Sequence, residues 1–275
     1  MILSPIEQSI KKKIEAVGTP LKDWDIQINY GIKTGFNDAF IVTTEKRDEI
    51  LANCSNEDER KRTDALIRPI LRGRDIKRYG YEWANLWLIN THNGVKGRIP
   101  RIRIEDYPAV KAHLDMYWDK IKDRADQGDT PYNLRNCAYL EDFYKPKAMW
   151  KIIGCNINFS FDYDKLLCNN AVNIITGDES IILQFVGIMN SKLFDWYLKL
   201  TTEAEVQGGG IQLYVTTLEK TLVKLDFPQA LSDVVRKRVN SKSSDSDVDQ
   251  AVFEAYSLTE EERMYILTNK KVNRK

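Results

Sequence analysis

The sequence predicts an α+β fold with mixed, mainly antiparallel sheets, two long amphipathic helices and a helical C-terminal tail. Short stretches with strand-like alternation or β-branched residues occur at irregular intervals along the 275 residues. Two longer stretches, one after residue 107 and one over residues 180–200, repeat apolar residues with helical periodicity. Because strands and helices do not alternate regularly, a parallel βαβ sheet is not expected.

The N-terminal segment has the sequence signals of a helix start. Ser4 precedes Pro5, and Glu7 follows three residues after the serine, which is the pattern of a capping box with proline at the first helical position. Isoleucines then recur at a spacing of four among lysines. These signals predict a helix that ends near Gly18 and leads into the main domain.

A small polar loop follows the first predicted strand. The alternation in WDIQINY, from Trp24, and the β-branched run AFIVTT predict two strands, which the loop from Lys33 to Asp38 joins. Gly31 and Gly35 give this loop a backbone freedom that other residues lack. We therefore expect the loop to turn sharply or to lie close against something large.

The middle of the chain contains the two predicted long helices. The first opens at Tyr107-Pro108 and stops before Gly128. Its predicted apolar face carries Val110, Leu114, Trp118 and Ile121. The second covers residues 180–200, and further strands are predicted at LWLIN, NFSFDYD and AVNIIT.

The character of the sequence changes after Pro228. The polar stretch SKSSDSD is typical of a linker, and the residues that follow, VDQAVFEAYSLTEEERMYIL, predict one or two helices. Apolar side chains in this tail raise the hypothesis that residues 229–275 pack against a partner subunit. They are Val248, Val252, Phe253 and Tyr256.

Composition and charge narrow the function classes. The chain has a mass of 31.9 kDa with 43% hydrophobic and 29% charged residues, as in soluble globular proteins. No apolar run approaches the roughly 20 residues that cross a bilayer, and the N-terminus lacks the order of a signal peptide, so we expect a cytoplasmic protein without membrane contact. The formal net charge is +1, so binding of nucleic acid requires local clusters of basic residues.

Sequence motifs of common active sites are absent. The chain has no GxGxxG or GxxxxGK[ST] loop and no HExxH or GxSxG motif. Its four cysteines form no CxxC pair, and its two histidines are far apart. The spacing of Glu59, Arg60 and Lys61 fits a metal-dependent nuclease, but this charged stretch is more typical of a solvated helix face. We expect no catalytic residue, no metal and no cofactor in this chain.

Two clusters of basic residues are candidates for contacts with DNA. The first lies in RPILRGRDIKR and comprises Arg68, Arg72, Arg74, Lys77 and Arg78. The second comprises Lys96, Arg98, Arg101 and Arg103. Arginine matches phosphate oxygens and guanine edges, and lysine supplies a point charge. The alternative is a solvated surface in which these charges are ion-paired.

A third candidate segment interleaves aromatic residues with basic and amide side chains. In YNLRNCAYLEDFYKPKAMWK these include Asn133, Arg135, Lys145 and Lys147. Asparagine and arginine can contact adenine and guanine through paired hydrogen bonds, which discriminate between bases by about 1 to 3 kcal/mol. The aromatic residues of this segment are more typical of a hydrophobic core.

Six stretches in order resemble the TaqI-like C-terminal specificity domain, which is found in adenine-specific DNA methyltransferases and single-chain type II restriction-modification enzymes. They are GIKTGFNDAFIV, LIRPILRGRDIKRY, RADQGDTPYNLRNCAYLEDFYKPKAMWKII, CNNAVNIITG, GIMNSKLFDWYLK and VDQAVFEAYSLTEEE. The resemblance extends from about Lys13 onward and implies a target-recognition domain that reads a short sequence of double-stranded DNA. In the family, a separate methyltransferase domain flips and methylates adenine with S-adenosylmethionine. This chain lacks the catalytic motifs of that domain, so we expect a fragment, or a free-standing recognition subunit.

The resemblance also implies positions for DNA contacts and domains. It places Lys33, Thr34, Gly35 and Asn37 on a loop close to DNA, and Arg72, Arg74, Lys77 and Arg78 along the same cleft. Asp75 is a candidate structural partner of a neighbouring arginine. The expected organisation is a linker helix over residues 1–22, a target-recognition domain over 23–228 and a helical tail over 229–275. The competing hypotheses are a stand-alone metal-dependent nuclease and a protein-interaction subunit of a restriction-modification complex.

Overall fold

The computed structural model describes residues 2–154, 156, 158–201, 205–206, 210–225 and 228–268, and it has the expected α+β fold. Its helices are α1 Pro5–Val17, α2 Asn37–Phe40, α3 Thr44–Ala52, α4 Glu57–Leu66, α5 Pro108–Asp115, α6 Trp118–Ile121, α7 Glu179–Asn190, α8 Lys192–Thr201, α9 Val215–Leu218, α10 Gln229–Val239, α11 Asp245–Ala255 and α12 Glu260–Thr268. Over the described ranges, none of these helices combines the length and apolarity that a membrane span needs. Cys155 lies outside the described residues, and the other three cysteines are free thiols.

The strands form mainly antiparallel sheets. They are β1 Gly18–Pro20, β2 Ile26–Tyr30, β3 Ile41–Thr43, β4 Ile67–Leu71, β5 Leu86–Ile89, β6 Lys147–Lys151, β7 Ile153–Gly154, β8 Phe159–Asp162, β9 Leu167–Cys168, β10 Val172–Gly177, β11 Glu205–Val206, β12 Gly210–Gln212 and β13 Leu222–Lys224. The two larger sheets have the orders β2-β10-β6-β8 and β3-β5-β4-β9, and the smaller ones are β11-β12-β7 and β1-β13. The pair β4-β9 is parallel.

The sheet β2-β10-β6-β8 separates two hydrophobic cores. Successive residues of a strand face opposite sides, so Ile175 and Trp150 lie in one core while Ile174 and Met149 lie in the other. The first core contains α1, α7, α8 and the C-terminal helices, and the second contains the sheet β3-β5-β4-β9 and α5. The central sheet therefore holds both halves of the molecule together.

The N-terminal helix forms as the sequence predicts. Ser4 and Glu7 make the capping box, with the Ser4 amide donating to Glu7 Oε2 at 2.8 Å. The buried face of α1 enters the first core, Lys13 Nζ lies 2.6 Å from Glu262 Oε2 in α12, and β1 pairs with β13. The segment predicted as a linker therefore packs with the segment predicted as a tail.

The two strands predicted on either side of the Lys33 loop both form, as β2 and β3, but they do not pair with each other. β2 pairs with β10 and β3 pairs with β5, so the two strands lie in different sheets with α2 between them along the chain. Alternating residues reveal a strand with one buried face, but they carry no information about its neighbour in the sheet.

Both predicted long helices are interrupted. Ser191 has an extended backbone between α7 and α8, and its Oγ accepts a hydrogen bond from the Phe194 amide at 3.2 Å, so it caps the start of α8. The other predicted helix ends at Asp115, and a turn precedes α6. This turn resets the helical phase, so Trp118 is 40% exposed and does not lie on the predicted apolar face.

The C-terminal helices are part of the first core. The stretch predicted as a linker contains the start of α11, where Ser244 and Asp247 form a second capping box. The apolar side chains that raised the partner-subunit hypothesis are buried within the chain itself: Val248, Val252, Phe253 and Tyr256. Intramolecular packing therefore explains this apolar pattern.

Glu59 does not lie on a solvated helix face. Its side chain is buried and accepts hydrogen bonds from the backbone amides of Ala109 at 2.9 Å and Ser55 at 2.7 Å. Although burial opposes ionisation, these amides hold the pKa of Glu59 below its ordinary value. Glu59, whose spacing fits a metal-dependent nuclease, thus joins α4 to the start of α5 through its hydrogen bonds.

Candidate nucleic-acid interface

A short turn, residues 169–172, holds together segments that are distant in sequence. The Asn169 amide donates to the Leu71 carbonyl at the end of β4 at 2.9 Å. The Gly31 amide, just after β2, donates to the Val172 carbonyl at 2.9 Å. On its other side, the Ile152 amide donates to the Ala171 carbonyl at 3.1 Å. We call this segment the central turn.

Gly31 packs directly against the central turn. A Cβ atom at this position would lie 2.0 Å from the Asn169 carbonyl oxygen and 2.6 Å from that of Val172. Glycine is therefore required for this close approach. The sequence predicted that this region lies close against something large, and at Gly31 the neighbour is the backbone of the central turn.

The first basic cluster reaches the same turn. A Cβ atom on Gly73 would lie 3.4 Å from Ala171 Cβ and 3.6 Å from Lys151 Cβ. Gly73, which precedes Arg74, and Lys151 at the end of β6 therefore lie beside the central turn, as does Gly31, two residues before Lys33. We call Lys33, Arg74 and Lys151 the basic wall.

The charges of the basic wall are not neutralised by the described part of the chain. Lys33 and Arg74 are exposed, Lys151 is half-buried, and none of the three has an ion-pair partner among the described residues. Three cations from separate segments are thus left for an external anion. Sequence reasoning named Lys33 and Arg74 as DNA contacts, and Lys151 belongs to a segment that it singled out.

Other residues of the first basic cluster have carboxylate partners. Arg72 forms a bidentate pair with the buried Asp75, with Nη2 to Oδ1 at 2.9 Å and Nε to Oδ2 at 3.1 Å. Asp75 is therefore the structural partner that its position suggested. Lys77 pairs with Glu82 at 3.2 Å, and Arg78 pairs with Asp245 of α11 at 2.9 Å. That Arg72, Lys77 and Arg78 contact DNA remains a prediction, and the positive charge of each is partly balanced by its carboxylate partner.

The loop from Lys33 to Asp38 has an inner and an outer side. Thr34 is buried, and its hydroxyl donates to Asn37 Oδ1 at 2.6 Å. Gly35 has a φ of +70°, and a Cβ there would lie 2.9 Å from Arg124 Cδ. Thr34 and Gly35 therefore fix the loop, and the assignment of the buried Thr34 side chain as a DNA contact is corrected. The Lys33 and Asn37 side chains are exposed to a ligand.

Arg124 is the residue that holds this loop, and sequence reasoning did not single it out. Its buried guanidinium donates to the backbone carbonyls of Thr34 at 2.8 Å, Pro131 and Asn133, and it lies 4.5 Å from the centre of the Phe40 ring. Burial lowers the pKa of Arg124 to about 10, so it stays charged at neutral pH. The available signal was its place at the start of RADQGDTPYNLRN, one of the stretches that carry the family resemblance.

The third candidate segment divides between the interior and the surface. Asn133 is buried, and its amide nitrogen donates to the Ile102 carbonyl at 2.9 Å. Lys147 is fully buried, pairs with Asp162 and donates to the Phe143 carbonyl at 2.7 Å. DNA cannot reach either side chain in this fold, so their assignment as DNA contacts is corrected.

Arg135 and Lys145 lie on the surface. Arg135 Nη1 is 2.9 Å from Asp126 Oδ1, and Lys145 Nζ is 2.7 Å from Asp142 Oδ1. Both side chains are more than half exposed, at 56% and 59%. Both cations reach solvent, although the carboxylate partner of Lys145 is itself buried, so both residues remain predicted DNA contacts.

A pocket of about 450 Å³ lies beside the basic wall. Its apolar lining comes from Tyr30, Ile32, Cys137 and Tyr139, and its polar lining includes Lys33, Arg135 and Asn136. Burial raises the pKa of Tyr139 to about 12 and that of Cys137 to about 11, so both groups are protonated at neutral pH. The pocket joins the segment that leads into the Lys33 loop to the segment that contains Arg135, both of which the sequence marked for DNA contact.

Comparison with solved structures finds a similar fold in one restriction-modification enzyme. The type IIL restriction-modification enzyme MmeI, solved in complex with DNA, matches 90% of this chain with a TM-score of 0.62 at 13% identity. The type IIG restriction endonuclease BpuSI matches 92% with a TM-score of 0.49 at 12% identity. The chain spans about a third of the length of each, 35% and 34%. At such low identity the likeness to MmeI concerns the fold alone.

Sequence comparison gives a more specific result. No curated protein matches the chain. The model of the TaqI-like C-terminal specificity domain, however, matches residues 68–221, which include Arg74, Lys151, the central turn and the pocket residues 135–139 but not Lys33. Because this match covers more than half of the chain, the chain belongs to the family of TaqI-like C-terminal specificity domains, as the resemblance predicted.

Proposed function

We propose that this chain is the DNA target-recognition domain of an adenine-specific methyltransferase or a type II restriction-modification enzyme. The observation that carries the proposal is the basic wall, where three cations from distant segments flank one turn without carboxylate partners in the described chain. Such cations attract the phosphate backbone of a duplex and release its counterions. The net charge of +1 makes this local arrangement the relevant source of attraction.

Exposed amides beside the wall supply groups that read bases. Asn37 ends the Lys33 loop, Asn136 lines the pocket and Asn170 lies in the central turn, and all three are exposed. Asparagine forms paired hydrogen bonds with adenine in the major groove, whereas phosphate contacts position the protein without reading sequence. In this proposal the wall orients the duplex and the amides discriminate between sequences.

Methylation takes place elsewhere in the proposed assembly. A methyltransferase domain, either in the same polypeptide or as a separate subunit, binds S-adenosylmethionine and acts on the adenine. The family membership supports this division of labour, since the family is one of specificity domains. The assembly works in the cytoplasm, where the DNA of a restriction-modification host lies.

Selection from a random pool of duplexes tests the proposal. The chain is incubated with duplexes that carry a randomised core, bound DNA is recovered over several rounds, and the enriched duplex is compared with a scrambled one by fluorescence anisotropy. We expect enrichment of one short sequence and tighter binding to it than to the scrambled duplex. Equal binding to both, with no enriched sequence, contradicts a recognition function.

A further inference from the structure

The pocket beside the basic wall combines an aromatic and apolar surface with positive charge. Aromatic and apolar groups of Tyr30, Ile32 and Tyr139 line it, while Lys33 and Arg135 supply positive charge. A matching ligand has a flat, apolar-faced part joined to an anion. Nucleotides have this composition. The flat face of the base stacks on aromatic side chains, and the sugar to which the base is joined carries a phosphate.

The size and accessibility of the pocket fit one such group. Its volume of about 450 Å³ lies within the usual range of small-molecule sites. Tyr30, at the end of β2, is 51% exposed, so its ring is available for stacking without displacement of core residues. Asn136 adds an amide that can pair with the edge of a base.

Lys33 connects the pocket to the basic wall. It belongs to both, so a phosphate held by Lys33 on the wall is within one side chain of the pocket. A base on that strand can enter the pocket only after it leaves its partner strand. We propose that this pocket binds one unpaired nucleotide of the duplex that the basic wall holds, an inference that rests on the proposed function.

Mismatched duplexes provide the test. A protein that holds an unpaired base binds more tightly where pairing is already weakened, because less unpairing free energy is required. Each base pair of the selected duplex is replaced in turn by a mismatch, and the dissociation constant is measured. We expect one position at which the mismatch tightens binding by about tenfold, while mismatches elsewhere weaken it.

Variants of Tyr30 link this preference to the pocket. Tyr30→Ala is expected to abolish the tightening, and Tyr30→Phe, which keeps the ring, is expected to retain it. Tyr163→Ala is the matched control, since Tyr163 is an exposed tyrosine, 39%, that follows β8 at the opposite edge of the sheet. Circular dichroism of each variant confirms that it is folded.

The outcomes separate the two proposals. If the chain prefers one duplex sequence but every mismatch weakens binding, the unpaired nucleotide is excluded and the recognition function stands. Retention of the tightening in Tyr30→Ala also overturns the inference, because the unpaired base then lies elsewhere. If no duplex is bound at all, both proposals are wrong.

Discussion

The guanidinium of Arg124 donates a hydrogen bond from Nε to the backbone carbonyl of Thr34 at 2.8 Å, and so joins two segments of the candidate interface. The same guanidinium holds the carbonyls of Pro131 and Asn133. Lys33 precedes the first of these segments, and Arg135 follows the second. The pocket between Lys33 and Arg135 therefore depends on one buried cation that touches neither the pocket nor the wall surface.

Replacement of Arg124 tests this arrangement. Arg124→Lys keeps the charge but cannot satisfy three separated carbonyl groups, so we expect a loss of about 2 to 4 kcal/mol in the free energy of unfolding. Urea denaturation measures it. The exposed Arg103→Lys is the control, with an expected change within about 0.5 kcal/mol. Equal stability of the two variants would show that Arg124 does not hold the loop.

A glycine series separates backbone strain from crowding in the Lys33 loop. Gly97 has a φ of +77° with open space above it, whereas Gly35 has a φ of +70° and faces Arg124. Gly97→Ala is expected to cost about 1 kcal/mol through left-handed strain alone, and Gly35→Ala about 1 kcal/mol more. Gly80→Ala, with neither feature, is expected to be near neutral. Thermal unfolding ranks the three, and a Gly35 variant no worse than the Gly97 variant contradicts the packing of Arg124 on the loop.

The buried carboxylate of Glu59 predicts a pH-dependent stability difference. Its pKa is lowered in the fold, so ionisation stabilises the protein above the unfolded pKa of about 4.3, and this contribution is lost as the pH falls through the lower folded value. Glu59→Gln is therefore expected to cost about 2 kcal/mol at pH 7 and progressively less below pH about 4. Glu57→Gln, on the exposed first turn of the same helix, is the control. A difference between Glu59→Gln and the parent that stays constant down to pH 3 is the contrary result.

Lys147 gives opposite expectations for its two possible roles. If Lys147 is the buried partner of Asp162, its replacement leaves the Asp162 carboxylate without a counter-charge. Lys147→Met is then expected to lower the free energy of unfolding by about 3 to 5 kcal/mol. If Lys147 contacted DNA instead, the same replacement would weaken DNA binding and leave the stability unchanged. Urea denaturation together with the DNA dissociation constant of the folded variant distinguishes the two. Unchanged stability with weaker binding restores the sequence-based assignment.

Local signals in the sequence predict local structure well. The capping pattern at Ser4 and Glu7 predicted α1, residue alternation predicted β2, and the strand-like residues AVNIIT predicted β10. The same reasoning missed the break at Ser191, because an apolar helical pattern continues on both sides of it. It also could not choose the partner of β2, since strand pairing depends on contacts between residues far apart in the chain.

The sequence predicted some residues of the candidate site, but it did not predict which of them are buried or how they come together. Lys33, Gly35 and Arg74 stood out as basic or glycine residues in family motifs. The identity of a basic residue does not show whether it is buried. Lys147 and Arg135 were therefore predicted alike, although Lys147 lies in a buried ion pair and Arg135 lies on the surface. The central turn could not be foreseen, because its role comes from hydrogen bonds to the ends of β2, β4 and β6.

The salt dependence of DNA binding tests the central claim most directly. The triple variant Lys33→Ala, Arg74→Ala, Lys151→Ala is compared with the parent and with a charge-matched triple variant of the exposed Lys12, Lys61 and Lys220. If the basic wall holds the phosphate backbone, the slope of log K against log salt concentration becomes shallower by about 3 in the wall variant and stays unchanged in the control. An equal slope in the parent and the wall variant would contradict the account.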